Sequence, residues 1–130
     1  MRILVVVDAA DERALLASYL HQLGCRVYLA SDGLDAVHKA MVVKPDIILM
    51  DRNMPVCDGL TACRLLQDNS ATHRTPVIFL SGATTPTERV AGLRAGAVDY
   101  ITKPFDVEEV KLRLKVHLGK NAPPLPSPDP

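Results

Sequence analysis

The fold is decided by residues 46–59, which read DIILMDRNMPVCDG. Four consecutive apolar residues, Ile47 to Met50, end on the carboxylate of Asp51, and a turn containing proline and Asp-Gly follows. A short apolar run of this kind predicts a strand that is buried on both faces. The last residue of such a strand lies at the carboxyl edge of the sheet, where open α/β sheets bind ligands. Asp51 is therefore the first candidate functional residue.

Strand-like and helix-like segments alternate along the rest of the chain. Apolar, β-rich runs predict further strands at residues 3–7, 26–29, 77–80 and 98–101. Helix starts are indicated by Asp58, by the capping box Thr85-Pro86-Thr87-Glu88 and by Asp106. Five strand–helix pairs predict the α/β class, with one parallel sheet covered by helices on both faces.

The helical spacing of apolar residues predicts which helix faces are buried. In the first helix the predicted face includes Leu15. In the second helix it consists of Leu34, Val37, Ala40 and Met41. In the last helix the predicted core stripe begins at Val107. These faces are expected to pack against the sheet.

The totals are those of an ordinary globular domain. The chain has 130 residues, with fifteen basic and fifteen acidic side chains, which suits one domain with a full hydrophobic core. The balanced charge gives no argument for direct binding to nucleic acid or to an anionic membrane. No apolar run approaches membrane-spanning length, so a cytoplasmic protein is expected. Cys25, Cys57 and Cys63 lack the spacing of metal ligands and are expected to be reduced and structural.

We predict one folded domain over residues 1–119 and a proline-rich linker or tail over residues 120–130. Five of the last ten residues are prolines, which favours an extended segment. Such a segment indicates either an output domain beyond it or a simple tail.

Polar side chains follow four of the predicted strands, at the point where each strand ends. Asp8 follows the first strand, Asp51 the third, Ser81 the fourth and Lys103 the fifth. Because the carboxyl ends of parallel strands share one edge of the sheet, these groups are expected to converge. Mg²⁺ prefers carboxylate and phosphate oxygens, and a lysine can neutralise a transferring phosphoryl group. The pattern predicts phosphorylation of Asp51 as the nucleophile, while Arg52 beside it is expected to be solvated.

These segments resemble the receiver domain of two-component response regulators over about residues 1–119. The motifs that carry the resemblance are RILVV leading to Asp8, DRNMPVCDG from Asp51, VIFLSG at 77–82 and AGAVDYITKPF at 95–105. Each motif alone is moderately specific, and the four together, each at a strand end, are highly specific. The resemblance implies a flavodoxin-like (βα)5 fold, the sheet order 2-1-3-4-5 and a cis peptide bond between Lys103 and Pro104.

The resemblance also implies a role for each residue at the strand ends. Asp51 would accept a phosphoryl group from a histidine kinase or a phosphotransfer protein, and Lys103 would bridge to the phosphoryl oxygens. Asp8, Asp51 and the backbone carbonyl of Asn53 would ligate Mg²⁺. The chain would then be a signalling switch and not a turnover enzyme.

The implied switch connects the phosphate to a protein-interaction surface. Ser81 would turn its hydroxyl toward the phosphate, and Tyr100 would move inward behind it. On the last helix, Leu112 and Val116 lie opposite the core stripe and form a second apolar stripe, which suggests a partner surface. Many receivers dimerise or contact their output domain through helix four, strand five and helix five, and we predict that these two residues belong to such a contact. Two scattered exposed apolar residues are the alternative.

One residue departs from the family pattern. Receivers normally carry two acidic residues at the end of strand one, whereas this chain has Val7 before Asp8. Loss of a carboxylate that orients outer-shell groups weakens metal affinity by about 10–100-fold, so weak Mg²⁺ binding and slow or conditional phosphorylation are predicted. The alternative is a pseudo-receiver, an interaction module whose fold persists without phosphorylation. A flavin-binding protein on the same fold is disfavoured, because Asp8 and Asp11 would repel a phosphate.

Overall fold

The computed structural model describes residues 1–82 and 85–118. In this part of the chain strands and helices alternate, in the order β1 Arg2–Val6, α1 Ala10–Gln22, β2 Arg26–Ala30, α2 Gly33–Val43, β3 Ile47–Asp51, α3 Gly59–Gln67, β4 Val77–Ser81, α4 Pro86–Ala95, β5 Asp99–Thr102 and α5 Val107–Leu118. The strands form one parallel sheet in the order β2-β1-β3-β4-β5. The predicted α/β class and sheet order are confirmed. The linker or tail predicted for residues 120–130 lies outside the described residues.

The central strands are buried on both faces of the sheet. Alternate residues of a strand point to opposite faces, so β1 and β3 contribute to two separate apolar clusters. One cluster contains Leu4, Val6, Ile48 and Met50, and the other contains Ile3, Val5, Ile47 and Leu49. Both faces of β3 therefore need apolar side chains, which explains why no polar residue interrupts the run before Asp51.

The register of the sheet brings the strand ends to one edge. Val6 of β1 lies beside Met50 of β3, so the segment that follows β1 lies next to Asp51 at the end of β3. On the other side of β3, Asp51 lies beside Leu80 of β4. Polar residues that follow β1 and end β3 and β4 therefore meet at the carboxyl edge.

Three helix starts are capped by the residues that the sequence indicates. Asp58 accepts a hydrogen bond from the amide of Thr61 at 2.8 Å, and Asp106 accepts one from the amide of Glu108 at 2.8 Å. Thr85 accepts one from the amide of Glu88 at 3.3 Å. Each cap satisfies a backbone donor that has no partner inside its helix. The start of α3 is thereby held next to the end of β3.

Gly59, the first residue of α3, is required by close packing. A methyl group at this position would lie 2.5 Å from the carbonyl oxygen of Asp51 and 2.9 Å from the Cα atom of Arg52. The amide of Gly59 also donates a hydrogen bond to the carbonyl oxygen of Arg52 at 2.9 Å. The glycine therefore lets α3 begin directly against the strand end that carries Asp51.

Several residues predicted to be buried are exposed. Leu34 and Met41 of α2 are 50% and 43% exposed, and Leu15 and Val107 are also exposed. The side of α2 that meets the sheet is made of small residues, namely Ala40, which belongs to the predicted face, and Ala36. Small side chains allow the helix to approach the sheet closely, and this moves the larger apolar residues to its flanks.

The cysteines lie in the core, and no described helix suits a bilayer. All three cysteines are free and buried, as expected of structural residues. Burial raises the pKa of the Cys63 thiol to about 11, which keeps it protonated at neutral pH. Within residues 1–82 and 85–118, no helix is long and apolar enough to cross a membrane.

Candidate functional site

Asp51 ends β3 as a buried carboxylate and is only 2% exposed. Its Oδ1 atom lies 2.5 Å from the Nζ atom of Lys103, and its Oδ2 atom has no hydrogen-bond partner among the described residues. Burial raises the pKa of the Asp51 carboxyl, the Lys103 ammonium opposes that rise, and the charges of Glu12 and Asp8 add to it. The site thus holds a desolvated carboxylate with one oxygen directed to a cation and the other unpaired.

Lys103 reaches Asp51 from the loop that follows β5. Its amide donates a hydrogen bond to the carbonyl oxygen of Ser81 at 2.8 Å, and the Lys103–Pro104 peptide bond is cis, as the resemblance implies. Burial lowers the pKa of Lys103, but hydrogen bonds to Asp51 and Glu12 outweigh this effect and raise it above its ordinary value. The side chain is therefore an ammonium ion at neutral pH.

Ser81 and Tyr100 lie on the neighbouring strands β4 and β5. Ser81 ends β4 and is buried, and Tyr100 of β5 is 7% exposed. The Tyr100 hydroxyl donates a hydrogen bond to the carbonyl oxygen of Glu88 at 2.7 Å, in the first turn of α4. A methyl group on Gly92 would overlap the phenol ring, so this glycine makes room for the tyrosine inside the domain. The tyrosine thus links β5 to the start of α4 in the inward orientation.

Asp8 and Asn53 are exposed at the same edge. The charge of Asp8 contributes to the raised pKa of Asp51, so the two acids lie within electrostatic reach. In the described part of the chain, no three His, Cys, Asp or Glu residues are grouped to hold a metal ion. The expected set has only two carboxylates plus a backbone carbonyl, and the unpaired Asp51 Oδ2 is an oxygen donor of the kind Mg²⁺ prefers. The residues present therefore fit a magnesium ion.

Val7 is the residue for which the resemblance implies an acid. It is fully buried in the apolar cluster that also contains Leu16 and Leu20 of α1. Its amide donates a hydrogen bond to the carbonyl oxygen of Ala30 at 3.2 Å, and its carbonyl accepts one from Arg13 at 2.7 Å. The side chain belongs to the core and offers no oxygen to the site.

Two charged residues at this edge differ from what the sequence suggests. Arg52 was expected to be solvated, but its side chain is 11% exposed and pairs with Glu88 of α4. No sequence motif points to Glu12 of α1, yet its Oε1 atom lies 3.1 Å from the Nζ atom of Lys103. Both contacts join distant segments of the chain, and local sequence patterns contain no signal for them. The site is therefore more highly charged than its strand-end residues alone indicate.

The predicted partner residues of α5 are exposed. Leu112 and Val116 of α5 are 61% and 60% exposed. Val90 of α4 and Val98, which precedes β5, are also exposed. The prediction that Leu112 and Val116 face outward is confirmed, whereas their contact with a partner stays a prediction.

A parallel sheet of this order, with carboxylates, a hydroxyl and a lysine at its carboxyl edge, is typical of a receiver-type α/β domain. The model of the response regulator receiver domain family matches residues 3–115. The chain therefore belongs to this family.

Relatives of known name support the assignment. Protein PilG of Pseudomonas aeruginosa is 36% identical over 123 residues, which cover 95% of this chain and 91% of PilG. Response regulator MprA of Mycobacterium avium is 41% identical over 123 residues, which cover 95% of this chain and 53% of MprA. The chain thus spans nearly all of PilG but about half the length of MprA.

Solved structures share the fold closely. The receiver domain of the sensor histidine kinase PA1611 from Pseudomonas aeruginosa, solved with a magnesium ion in its active site cleft, is 35% identical, with a TM-score of 0.85. The similarity covers 92% of this chain and 98% of that domain. Chemotaxis protein CheY4 of Vibrio cholerae is 30% identical, with a TM-score of 0.85, over 88% of this chain and 96% of CheY4. The fold of this chain is that of response regulator receivers.

Proposed function

We propose that this receiver domain accepts a phosphoryl group on Asp51 from a histidine kinase or a phosphotransfer protein in the cytoplasm, in a reaction that requires Mg²⁺. The observation that carries the proposal is the state of the Asp51 carboxylate. It is buried, it contacts Lys103 through Oδ1, and its Oδ2 has no hydrogen-bond partner among the described residues. An unpaired buried oxygen is costly for a fold, so its retention favours a chemical role.

In the proposed step an oxygen of Asp51 attacks the phosphorus atom of a phosphohistidine. A new O–P bond forms while the P–N bond breaks, and the imidazole leaves with the electron pair and takes up a proton. The Lys103 ammonium neutralises charge on the phosphoryl oxygens, and the Ser81 hydroxyl offers them a hydrogen bond. The domain acts once per signal as a switch and not as a turnover enzyme.

Magnesium fits this proposal with reduced affinity. Asp8, Asp51 and the carbonyl of Asn53 would hold the ion, which supplies positive charge to the transferring phosphoryl group when bound. The magnesium reported in the related PA1611 receiver supports this assignment. Because Val7 is a core residue, we expect an affinity about 10–100-fold below that of a receiver with both acids.

The proposed output is a change at the face formed by α4, β5 and α5. The hydroxyl of Tyr100 donates a hydrogen bond to the first turn of α4, and Tyr100 lies on the strand next to the one that ends at Ser81. A movement of Ser81 and Tyr100 on phosphorylation would therefore change the position of this helix. Exposed Leu112 and Val116 would take part in the partner contact, which is a homodimer or an output domain.

The proposal is tested by incubating the purified chain with Mg²⁺ and acetyl phosphate and measuring its intact mass. We expect the wild type to gain one phosphoryl group and Asp51→Asn to gain none. Asp58→Asn is the matched control, since Asp58 is an acid on the same loop that only caps α3. An unmodified wild type would favour the pseudo-receiver.

A further inference from the structure

The ammonium of Lys103 lies between two carboxylates. Its Nζ atom is 2.5 Å from Oδ1 of Asp51 and 3.1 Å from Oε1 of Glu12. The Glu12 side chain is 37% exposed, whereas that of Asp51 is 3% exposed. The single ammonium is therefore shared between the buried candidate phosphoacceptor and an acid on the surface of α1.

Glu12 also acts on Asp51 through its charge. Burial is the largest cause of the raised pKa of Asp51, and the charge of Glu12 raises this pKa more than the charge of Asp8 does. The electrostatic repulsion between Glu12 and Asp51 would increase once a phosphoryl group with a charge of about −2 is attached to Asp51. Glu12 thus opposes new negative charge at the site and attracts the cation that would neutralise it.

We infer that Glu12 is a positioning residue that competes with the phosphoryl group for Lys103 and thereby slows phosphorylation of Asp51; this inference rests on the proposed function. When acetyl phosphate is the donor, an Asp51 oxygen forms the O–P bond, the P–O bond to the acetyl group breaks, and acetate leaves with the electron pair. During this step the ammonium has to move toward the phosphoryl oxygens. Every hydrogen bond that it keeps with Glu12 works against that movement.

The ordinary explanation of Glu12 is stabilisation of its own helix. Acidic residues are favourable in the first turn because the amino end of a helix carries partial positive charge. Asp11 lies in the same turn and has the same charge. Among the described residues, however, the ion pairs of Lys103 are with Glu12 and Asp51. Asp11→Asn is therefore a matched control for loss of one negative charge from this turn.

The test measures phosphorylation rates with acetyl phosphate at saturating Mg²⁺ for the wild type, Glu12→Gln and Asp11→Asn. We expect Glu12→Gln to raise the maximal rate by about threefold, the size expected for a partly exposed ion pair, with no change in the half-saturating donor concentration. Asp11→Asn should match the wild type. In a Lys103→Gln background the gain from Glu12→Gln should disappear, which a purely structural role of Glu12 would not produce.

An equal or slower rate for Glu12→Gln, an equal gain for Asp11→Asn, or a gain that persists without Lys103 would each overturn the inference. The wild-type arm separates this outcome from failure of the proposed function. If the wild type is phosphorylated and Glu12→Gln is no faster, only the inference fails. If neither protein is phosphorylated, the proposed function and the inference both fail. If Glu12→Gln is phosphorylated and the wild type is not, the inference holds.

Discussion

The carboxyl ends of β1 and β3 lie side by side, yet they carry opposite kinds of side chain. β1 continues into Val7, which is fully buried among apolar residues of α1. β3 ends on Asp51, which is almost as hidden from solvent but carries a charge. Burial of Val7 stabilises the fold, whereas burial of Asp51 has a desolvation cost that Lys103 only partly offsets. The end of β1 thus favours the stability of the fold, whereas the end of β3 favours the proposed chemistry.

Introducing an acid at the end of β1 should produce the largest effect. We expect Val7→Asp to raise Mg²⁺ affinity by about 10–100-fold, because the carboxylate can orient groups around the ion. The same change should lower the free energy of unfolding by at least about 1 kcal/mol, because a charged group replaces buried methyl groups. Calorimetric titration and urea unfolding measure the two effects, with Val7→Ala as the uncharged control. If Val7→Asp folds and its Mg²⁺ affinity is unchanged, the valine at this position does not limit metal binding.

The end of β3 should be sensitive to the space that Gly59 leaves free. Gly59→Ala would press a methyl group against the backbone of Asp51 and Arg52, so we expect a loss of about 1–3 kcal/mol in the free energy of unfolding. At Gly82 an added methyl group has no neighbour within 4 Å, so Gly82→Ala is the control. Urea unfolding of both variants measures the difference. Equal stability of the two would show that α3 does not need to begin so close to β3.

The cost of the buried charge can be measured through its pH dependence. Because the pKa of Asp51 is raised in the folded state, its carboxyl contributes stability that is present below the unfolded pKa and lost as the pH rises through the folded pKa. We therefore expect Asp51→Asn to be more stable than the wild type near neutral pH. The difference should shrink as the pH falls toward the ordinary pKa of aspartate.

Chemical unfolding at a series of pH values tests this expectation. Asp8→Asn, at the exposed acid beside β1, should change the free energy of unfolding by less than about 0.5 kcal/mol. A less stable Asp51→Asn at neutral pH would mean that the contact with Lys103 outweighs the desolvation of Asp51.

The smallest effect on stability is expected far from both strand ends. Leu112→Asp replaces an exposed side chain of α5, so it should change the free energy of unfolding by less than about 0.5 kcal/mol. The same substitution should weaken self-association or partner binding. Light scattering of the phosphorylated protein, compared with Val42→Asp on exposed α2, measures the effect. If Leu112→Asp and Val42→Asp leave the oligomeric state equally unchanged, the face of α5 has no role in dimerisation.

The sequence predicted most of what lies on the sheet. The continuous apolar run before Asp51 predicts a strand that is buried on both faces. The caps at Asp58, Thr85 and Asp106 are local interactions that short motifs specify. The exposure of Leu34 was not predictable from periodicity, because small residues of α2 take the position against the sheet.

The contacts around the site could not be predicted in the same way. The pair between Arg52 and Glu88, and the contact between Glu12 and Lys103, depend on how helices pack across the edge of the sheet. Residues far apart in the chain have no shared pattern from which such contacts can be read. The convergence of Asp51 and Lys103 was therefore predictable from the strand ends, whereas their charged neighbours required the three-dimensional arrangement.

The difference between the two strand ends is tested most directly by locating the phosphoryl group. The chain is incubated with acetyl phosphate and Mg²⁺, the acyl phosphate is trapped with borohydride, and the modified peptide is mapped by mass spectrometry. We expect modification of Asp51 alone, with no trapped product at Asp8 or Asp58. Modification of another carboxylate, or of none, would contradict the assignment of Asp51 as the phosphoacceptor.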